Sequence, residues 1–317
     1  MTTNIYPSSS ALLKESWSLF KTNFFKLFKV MLIPMLVFLV AAIVFGIGGA
    51  LFAFLLKGNS GMLMLGIPLA FIFLIAMVII SLWSNVAIFY AVCNLDKELN
   101  VKDIYRLSWP LIGGFFMTSM IVSFIVLGGF TAFIVPGILI AIATSLTPFI
   151  AVNEKIYNLN AALKSRHYLI GHRWEYFCRI IVLVLIQILV TIVLSALDPD
   201  DKSILTSLIE FVFSIGFGIF YSIYAYLNYK YLSQMAPAKF DPKVARVKYT
   251  IFGFLSILSF VGIVFASITI PKIVREKVKI IDSRSSTQKI EDPQPELDEL
   301  MKILKITPEA TATPKTR

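Results

Sequence analysis

The sequence predicts an all-α fold, a polytopic integral membrane helical bundle of about seven transmembrane helices. The first observation behind this prediction is composition. Of the 317 residues, 57% are hydrophobic and 15% are charged, against roughly 25% charged residues in an ordinary soluble domain. The second observation is that the apolar residues extend over most of the chain rather than forming a single anchor. Together these observations exclude a soluble globular enzyme.

Seven apolar runs are candidate spans, because about 20 residues cross the hydrocarbon core of a bilayer. Six are long enough, whereas the fourth is short and contains Pro148, which leaves a tilted span and a re-entrant element as alternatives. The pair Pro136-Gly137 before the fourth run is typical of a turn. The runs are Val30–Leu56, Met62–Leu95, Leu111–Val135, Ile138–Val152, Phe177–Leu197, Ile204–Tyr229 and Ile251–Ile270.

The distribution of lysine and arginine predicts the orientation. Each segment that precedes an odd-numbered run holds at least three basic residues, whereas the alternate connections hold at most one. The positive-inside rule then predicts a cytoplasmic N-terminus, and it favours a fourth run that crosses fully. Seven crossings put the C-terminus outside, although the basic residues that follow the last run, beginning with Lys272 and Arg275, oppose that side.

A pattern of basic, aromatic and apolar residues occurs three times, in Ala11–Phe25, Asp103–Phe116 and Ala161–Glu175. In the first copy the apolar residues recur at spacings of three and four, as in an amphipathic helix. We therefore predict three repeats of an interfacial amphipathic helix plus a transmembrane hairpin, over about 9–95, 100–152 and 160–231. The alternative is that each copy is the polar extension of a long span.

The three copies carry the residues that we expect to contact lipid headgroups. The formal charge of +10 is explained most simply by basic segments that face anionic lipids, whereas nucleic-acid binding is the weaker interpretation and is not predicted. Tryptophan side chains prefer the membrane interface. The candidate headgroup contacts are Lys14, Trp17, Arg106, Trp109, Lys164, Arg173 and Trp174.

Residues 1–274 form the predicted transmembrane domain, and the composition then changes to Ser, Thr, Pro and charged residues. The tail over 275–317 is predicted to be mostly disordered, with a short amphipathic helix over 295–306 that could dock on a protein partner or on the membrane. Small residues within the spans, such as Gly128 and Gly129, indicate close helix packing. The alternative is that they mediate self-association, which leaves a homo-oligomer open.

No motif in the sequence indicates catalysis or cofactor binding. It shows no P-loop, nucleophile elbow or zinc-ligand pattern, and it has two histidines. We therefore expect a protein that is not an enzyme, with no cofactor and no metal. Glu210 is the clearest ionisable residue inside a span, and it joins Pro136, Gly137 and Pro148 as a candidate functional residue. Arg179, at a span start, is expected to extend its side chain to the headgroups.

Residues 133–174 combine a Pro-Gly-Ile motif, a helix with a proline and a closing glutamate, and an Ala-Leu-x-x-Ser helix that ends near a tryptophan. The positions are Pro136, Gly137, Ile138, Pro148, Glu154, Ala162, Leu163 and Trp174, with Ser165 one residue from the serine position. This pattern resembles a bacterial family of polytopic membrane proteins that includes the membrane domain of some glycerophosphoryl diester phosphodiesterases. The resemblance covers about Ala11 to Tyr231. It implies the fold rather than the phosphodiesterase activity, and it adds Glu154 to the candidate intramembrane residues. It also implies a location in the bacterial inner (plasma) membrane.

Two classes of function agree with these features. The first is non-enzymatic handling of lipids or other amphiphiles, or organisation of the membrane envelope, through the basic and aromatic interfacial helices. The alternative is a small-molecule transporter or permease with a site near the Pro136-Gly137 break and Glu210. The two classes differ in whether these residues face one cavity.

Overall fold

The computed structural model describes residues 6–55, 60–197, 204–237, 243, 246–259 and a few positions between 261 and 271, and all regular structure in them is helical. The chain divides into two units, Met1–Ile257 and Leu258–Arg317. The first unit carries all the features described below. The predicted tail over 275–317, with its helix over 295–306, lies outside the described residues.

Ten helices make up the described part of the first unit. The helices are α1 Ser9–Leu55, α2 Ser60–Cys93, α3 Val101–Ser108, α4 Ile112–Ala132, α5 Ile134–Thr144, α6 Thr147–Phe149, α7 Asn158–Tyr168, α8 Arg173–Leu197, α9 Ile204–Met235 and α10, described over 246–259. A 3₁₀ turn, Trp109–Leu111, joins α3 to α4, and a π-helical turn, Ile150–Glu154, follows α6.

Six segments of the described residues are long and apolar enough to cross a membrane. They confirm the prediction of a multi-pass, all-helical membrane protein. The predicted seventh span, Ile251–Ile270, falls partly outside the described residues, and α10 covers its first part. The six segments are Ser9–Gly49, Ala70–Cys93, Val101–Ala132, Ile134–Glu154, Arg173–Ala196 and Thr206–Met235.

Helix α1 continues without interruption from the first basic-aromatic copy into the first span. It begins where the Ser8 hydroxyl accepts a hydrogen bond from the Ala11 N–H at 3.3 Å, which satisfies one of the free donors at the helix start. Its 47 residues extend over about 70 Å at 1.5 Å per residue, more than twice the thickness of the hydrocarbon core. The first copy is therefore the extension of a long span, as in the alternative interpretation.

The other two copies form different structures. The second copy, α3, leads through the 3₁₀ turn at Pro110 into α4. The third copy contains α7, a separate helix that ends before a turn in which Gly171 has a φ of 86°. Most of α7 is buried, including Ala162 and Leu163. A helix with these buried positions packs inside the bundle, so the structure does not reproduce a common interfacial helix in the three copies.

The turn between α4 and α5 is shorter than predicted and lies earlier in the chain. A single extended residue, Phe133, separates the two helices, and Pro136-Gly137 lies inside the first turn of α5. Proline is tolerated there because the first N–H groups of a helix have no intrahelical partner. The predicted turn at Pro136-Gly137 is therefore wrong. A Cβ on Gly137 would lie 2.5 Å from the Phe130 ring, so a glycine at this position permits the close approach of the two helices.

The fourth span, Ile134–Glu154, is 21 residues long but broken near its middle. Pro148 has no N–H, so the helix cannot complete the hydrogen bond to the carbonyl of Thr144. Ser165 of α7 satisfies backbone groups at the break. Its hydroxyl accepts from the Leu146 N–H at 3.2 Å and donates to the Ala143 carbonyl at 2.8 Å. A broken span is tolerated at membrane depth when neighbouring side chains satisfy its backbone in this way.

The core lies towards one end of the bundle, where α1, α3 and α8 begin, where α2 and α9 end, and where α7 lies. We call this the basic end. Here the hydroxyl of Tyr231 donates to Glu15 at 2.8 Å, and the hydroxyl of Tyr226 donates to the Cys93 carbonyl at 3.2 Å. At the opposite end, the exposed residues of α1, α2, α8 and α9 are large and apolar. This contrast suits helices whose outer surfaces face lipid.

Candidate functional site

The side chain of Glu154 is the centre of a polar cluster at the basic end, which we call the Glu154 cluster. Its carboxylate forms an ion pair with Lys164 of α7. It also accepts hydrogen bonds from the hydroxyls of Tyr168 at 2.9 Å and Tyr229 at 2.8 Å. The amide of Asn153 donates to the Tyr229 hydroxyl at 3.1 Å. The cluster thus joins the π-helical turn, α7 and α9.

Local sequence explains how the cluster forms. Lys164 and Tyr168 are four residues apart, so they share one face of α7. Lys155 and Asn158 adopt positive φ values of 53° and 61°, which turn the chain from the π-helical turn into α7. Asparagine adopts this left-handed conformation more readily than most residues, whereas for Lys155 it is unfavourable and persists because the surrounding structure imposes it.

The environment of the cluster keeps Tyr168 protonated. Burial is the largest effect that raises the pKa of the Tyr168 hydroxyl, and its hydrogen bond to the Glu154 carboxylate raises the pKa further. A protonated hydroxyl is the form that donates to the carboxylate. Since three protein groups already engage Glu154, this carboxylate connects helices rather than presenting a free charge to a ligand.

A second polar cluster holds the segment before α1 against α8 and α9. The Arg179 guanidinium lies 3.9 Å from the centroid of the Tyr6 ring and donates to the Pro7 carbonyl at 2.6 Å. The same guanidinium pairs with Glu175, and the Tyr6 hydroxyl donates to the buried amide of Asn228. Only 6% of Arg179 is exposed. The prediction that Arg179 extends to the headgroups is therefore wrong, because its guanidinium is buried within the protein, where it pairs with Glu175 and stacks on Tyr6.

The three tryptophans of the predicted headgroup contacts lie on the surface at the basic end. The exposed fractions of Trp17, Trp109 and Trp174 are 52%, 54% and 66%. The side chains of Lys14 and Arg106 are also exposed, and Arg106 forms an exposed ion pair with Asp103 at 3.0 Å. An exposed pair of this kind contributes little to stability.

The two remaining predicted contacts are less available. Lys164 is engaged by Glu154, as described, so its ammonium acts within the bundle. Arg173 is half-buried at the start of α8, and its Nε is buried without a hydrogen-bond partner among the described residues. The structure therefore brings five of the seven predicted contacts to an exposed position.

The residues of the transporter alternative lie on different helices. Glu210 is half-buried in the second turn of α9, whereas Pro136 and Gly137 pack at the α4–α5 turn. Three cavities lined by described residues lie elsewhere, since Glu210, Pro136 and Gly137 are not in their walls. Pro148 does line a cavity of about 320 Å³ between α4 and the broken fourth span. Among the described residues there is no group of three or more His, Cys, Asp or Glu side chains that could hold a metal ion.

Sequence reasoning missed the tyrosine and asparagine partners, and it named Ser165 only for its position near the serine of the resembled motif. Tyr229 is 75 residues from Glu154, and Tyr6 is 222 residues from Asn228. No local spacing indicates such pairs. The spacing of Lys164 and Tyr168 was the one available signal, since it places a cation and a hydroxyl on the same helix face.

Comparison with protein-family models, curated proteins and solved structures finds no match to this chain. The resemblance to the phosphodiesterase membrane domains therefore stays a prediction.

Proposed function

We propose that this multi-pass membrane protein binds anionic lipid headgroups at its basic end, in a non-enzymatic role in lipid handling or envelope organisation. One observation carries the proposal. Trp17, Trp109 and Trp174 are all more than half exposed at the basic end, and indole rings with an apolar body and a polar N–H are favoured at the membrane interface.

Two exposed basic residues support the proposal that this surface binds anionic lipid. Lys14 precedes Trp17 by three residues, and Arg106 precedes Trp109 by three, so each cation lies near the tryptophan on its helical segment. A basic residue near an anionic membrane surface contributes about 1 kcal/mol to association. In this proposal the basic end faces the cytoplasm, where anionic lipids and the positive-inside rule coincide.

The length of α8 agrees with this placement of the basic end at the membrane interface. From Trp174 to Ala196 the α8 helix has 22 further residues, which correspond to about 33 Å, close to the thickness of the hydrocarbon core. Trp174 at the interface thus leaves the rest of α8 to cross the membrane.

The test is lipid binding by the full chain in nanodiscs of phosphatidylcholine with or without phosphatidylglycerol, with bound lipid quantified by native mass spectrometry. We expect enrichment of phosphatidylglycerol, reduced about fivefold by each of Lys14→Gln and Arg106→Gln, as one lost charge contact predicts. Lys26→Gln is the matched control, because its ammonium already donates to the Lys97 carbonyl at 2.9 Å. Equal enrichment in all three variants would contradict the proposal.

A further inference from the structure

A cavity of about 320 Å³ lies between α4 and the broken fourth span. No Asp, Glu, Lys, Arg or His is among the described residues that line it. The described residues that line the cavity are apolar, apart from six that carry a hydroxyl group. The hydroxyl-bearing residues are Thr118, Ser119, Ser123, Thr144, Ser145 and Thr147.

Three of these hydroxyls are satisfied within their own helices. Thr118 donates to the Gly114 carbonyl at 2.7 Å, and Thr144 donates to the Ile140 carbonyl at 2.9 Å. Ser145 donates to a carbonyl one turn earlier, at 2.8 Å. This back-bonding is the ordinary state of serine and threonine within helices in an apolar environment.

The other three hydroxyls have no hydrogen-bond partner among the described residues. Thr147 is the clearest, because its residue is 3% exposed and its Oγ1 is buried without a partner. Ser119 and Ser123 are four residues apart on α4, so they share the face that lines the cavity. An unpaired hydroxyl in apolar surroundings is unfavourable. A ligand in the cavity would satisfy these groups.

The position of the cavity indicates where the ligand comes from. Ser123 is exposed near the middle of the membrane-spanning helix α4, whereas Thr147 is buried. The cavity therefore extends from the lipid-facing surface towards the interior of the bundle. An occupant would therefore enter sideways from the bilayer, and the absence of charge in the described wall disfavours a phosphate group.

We propose that this cavity binds the glycerol end of an uncharged lipid, of which diacylglycerol is the simplest. The free hydroxyl and ester carbonyls of diacylglycerol can both donate to and accept from Ser119, Ser123 and Thr147. A volume of about 320 Å³ is at the small end of ligand pockets, so it accommodates the glycerol region while the acyl chains stay in the bilayer. This site is independent of the anionic surface proposed above.

The experiment uses the full chain in phosphatidylcholine nanodiscs with a photoreactive diacylglycerol, and crosslinked peptides are located by mass spectrometry. We expect crosslinks in α4 and in Ile134–Glu154, with competition by unlabelled diacylglycerol but not by additional phosphatidylcholine of the same acyl chains. Thr147→Val and Ser123→Ala should each reduce the apparent affinity about tenfold, the effect of one lost hydrogen bond of roughly 1.4 kcal/mol. Ala141→Leu, which fills the cavity, should abolish the specific crosslink.

Two control variants test whether the loss of affinity is specific to the unpaired hydroxyls of the cavity. Thr131→Val removes a hydroxyl of α4 that is already bonded to the Gly128 carbonyl of its own helix, and Ser214→Ala removes an exposed serine of α9; both residues lie outside the cavity. Both should bind the probe like the unaltered protein. The thermal stability of Thr147→Val without added lipid should be equal or higher, because an unpaired buried hydroxyl is removed. Equal crosslinking of the unaltered, Thr147→Val and Ser123→Ala proteins, or competition by phosphatidylcholine, would overturn the proposal even if Ala141→Leu fails to fold.

Discussion

The hydroxyl of Ser165 accepts a hydrogen bond from the N–H of Leu146 at 3.2 Å, across the break between α5 and α6. Ser165 is fully buried, and the same hydroxyl donates to the Ala143 carbonyl. A residue of α7 thereby supplies partners that the interrupted fourth span cannot supply itself. The break is a defined element of the bundle because this partner is present.

Replacing Ser165 by alanine should therefore destabilise the protein. The variant leaves a buried N–H and a buried carbonyl without the hydroxyl, at a cost of about 1–3 kcal/mol. The melting temperature in mild detergent measures the effect. Ser81→Ala, at an exposed position of α2, is the control and should stay within about 0.5 kcal/mol of the unaltered protein. Equal melting temperatures for the two variants would contradict a role of Ser165 at the break.

Glu154→Gln should also destabilise the bundle, because it removes the charge that pairs with Lys164. Both side chains are partly shielded, with 19% of the Glu154 side chain and 29% of the Lys164 side chain exposed. Loss of one partner of a fully buried pair costs more, so we expect about 1–3 kcal/mol here. Chemical unfolding in detergent measures the difference. Asp103→Asn, which breaks the exposed pair with Arg106, should change stability by less than about 1 kcal/mol.

The pKa of Tyr168 predicts a loss of stability at alkaline pH. Burial and the Glu154 carboxylate raise the pKa of this hydroxyl in the folded state, so the folded state holds the proton more tightly than the unfolded state. This contribution is complete below the ordinary tyrosine pKa of about 10 and is lost as pH rises through the folded-state pKa.

Tyr168→Phe tests this pH dependence. The variant should be less stable at neutral pH by about 0.5–1.5 kcal/mol, because it lacks one hydrogen bond. It should also lose less stability than the unaltered protein as pH rises above about 10. Melting temperatures across a pH series measure both effects. Parallel curves for the two proteins would show that the Tyr168 proton is not linked to folding.

Gly137→Ala should weaken the α4–α5 turn. The added Cβ would lie 2.5 Å from the Phe130 ring and 2.9 Å from the Phe130 Cα, so the helices must separate at a cost of about 1–3 kcal/mol. Gly216→Ala is the matched control within α9, because a Cβ there has no atom within 4 Å. Alanine favours the helix, and the control should be unchanged or more stable by up to about 1 kcal/mol. A stable Gly137→Ala protein would contradict the close approach.

The amino-acid sequence was sufficient to predict the parts of the fold that depend on the free energy of transferring residues from water to lipid. Long apolar runs predict spans because burying polar groups in hydrocarbon is unfavourable, and six such segments are found in the described residues. Pro148 indicated an interruption of the fourth span, since proline cannot donate the helical hydrogen bond. The exposed tryptophans at the starts of α4 and α8 could also be anticipated from their basic neighbours.

The contacts between helices depended on the tertiary structure. Core-facing and lipid-facing positions of a span are both apolar, so hydropathy does not mark which face packs inside the bundle. That choice decides whether Arg179 reaches the headgroups or stacks on Tyr6, and whether Lys164 meets lipid or Glu154. Pro136-Gly137 is equally ambiguous, because the same pair suits a turn or the first turn of a helix. The rotation and crossing of the helices bring Ser165 to the break in the fourth span. A contact between residues so far apart in sequence has no signature in local spacing.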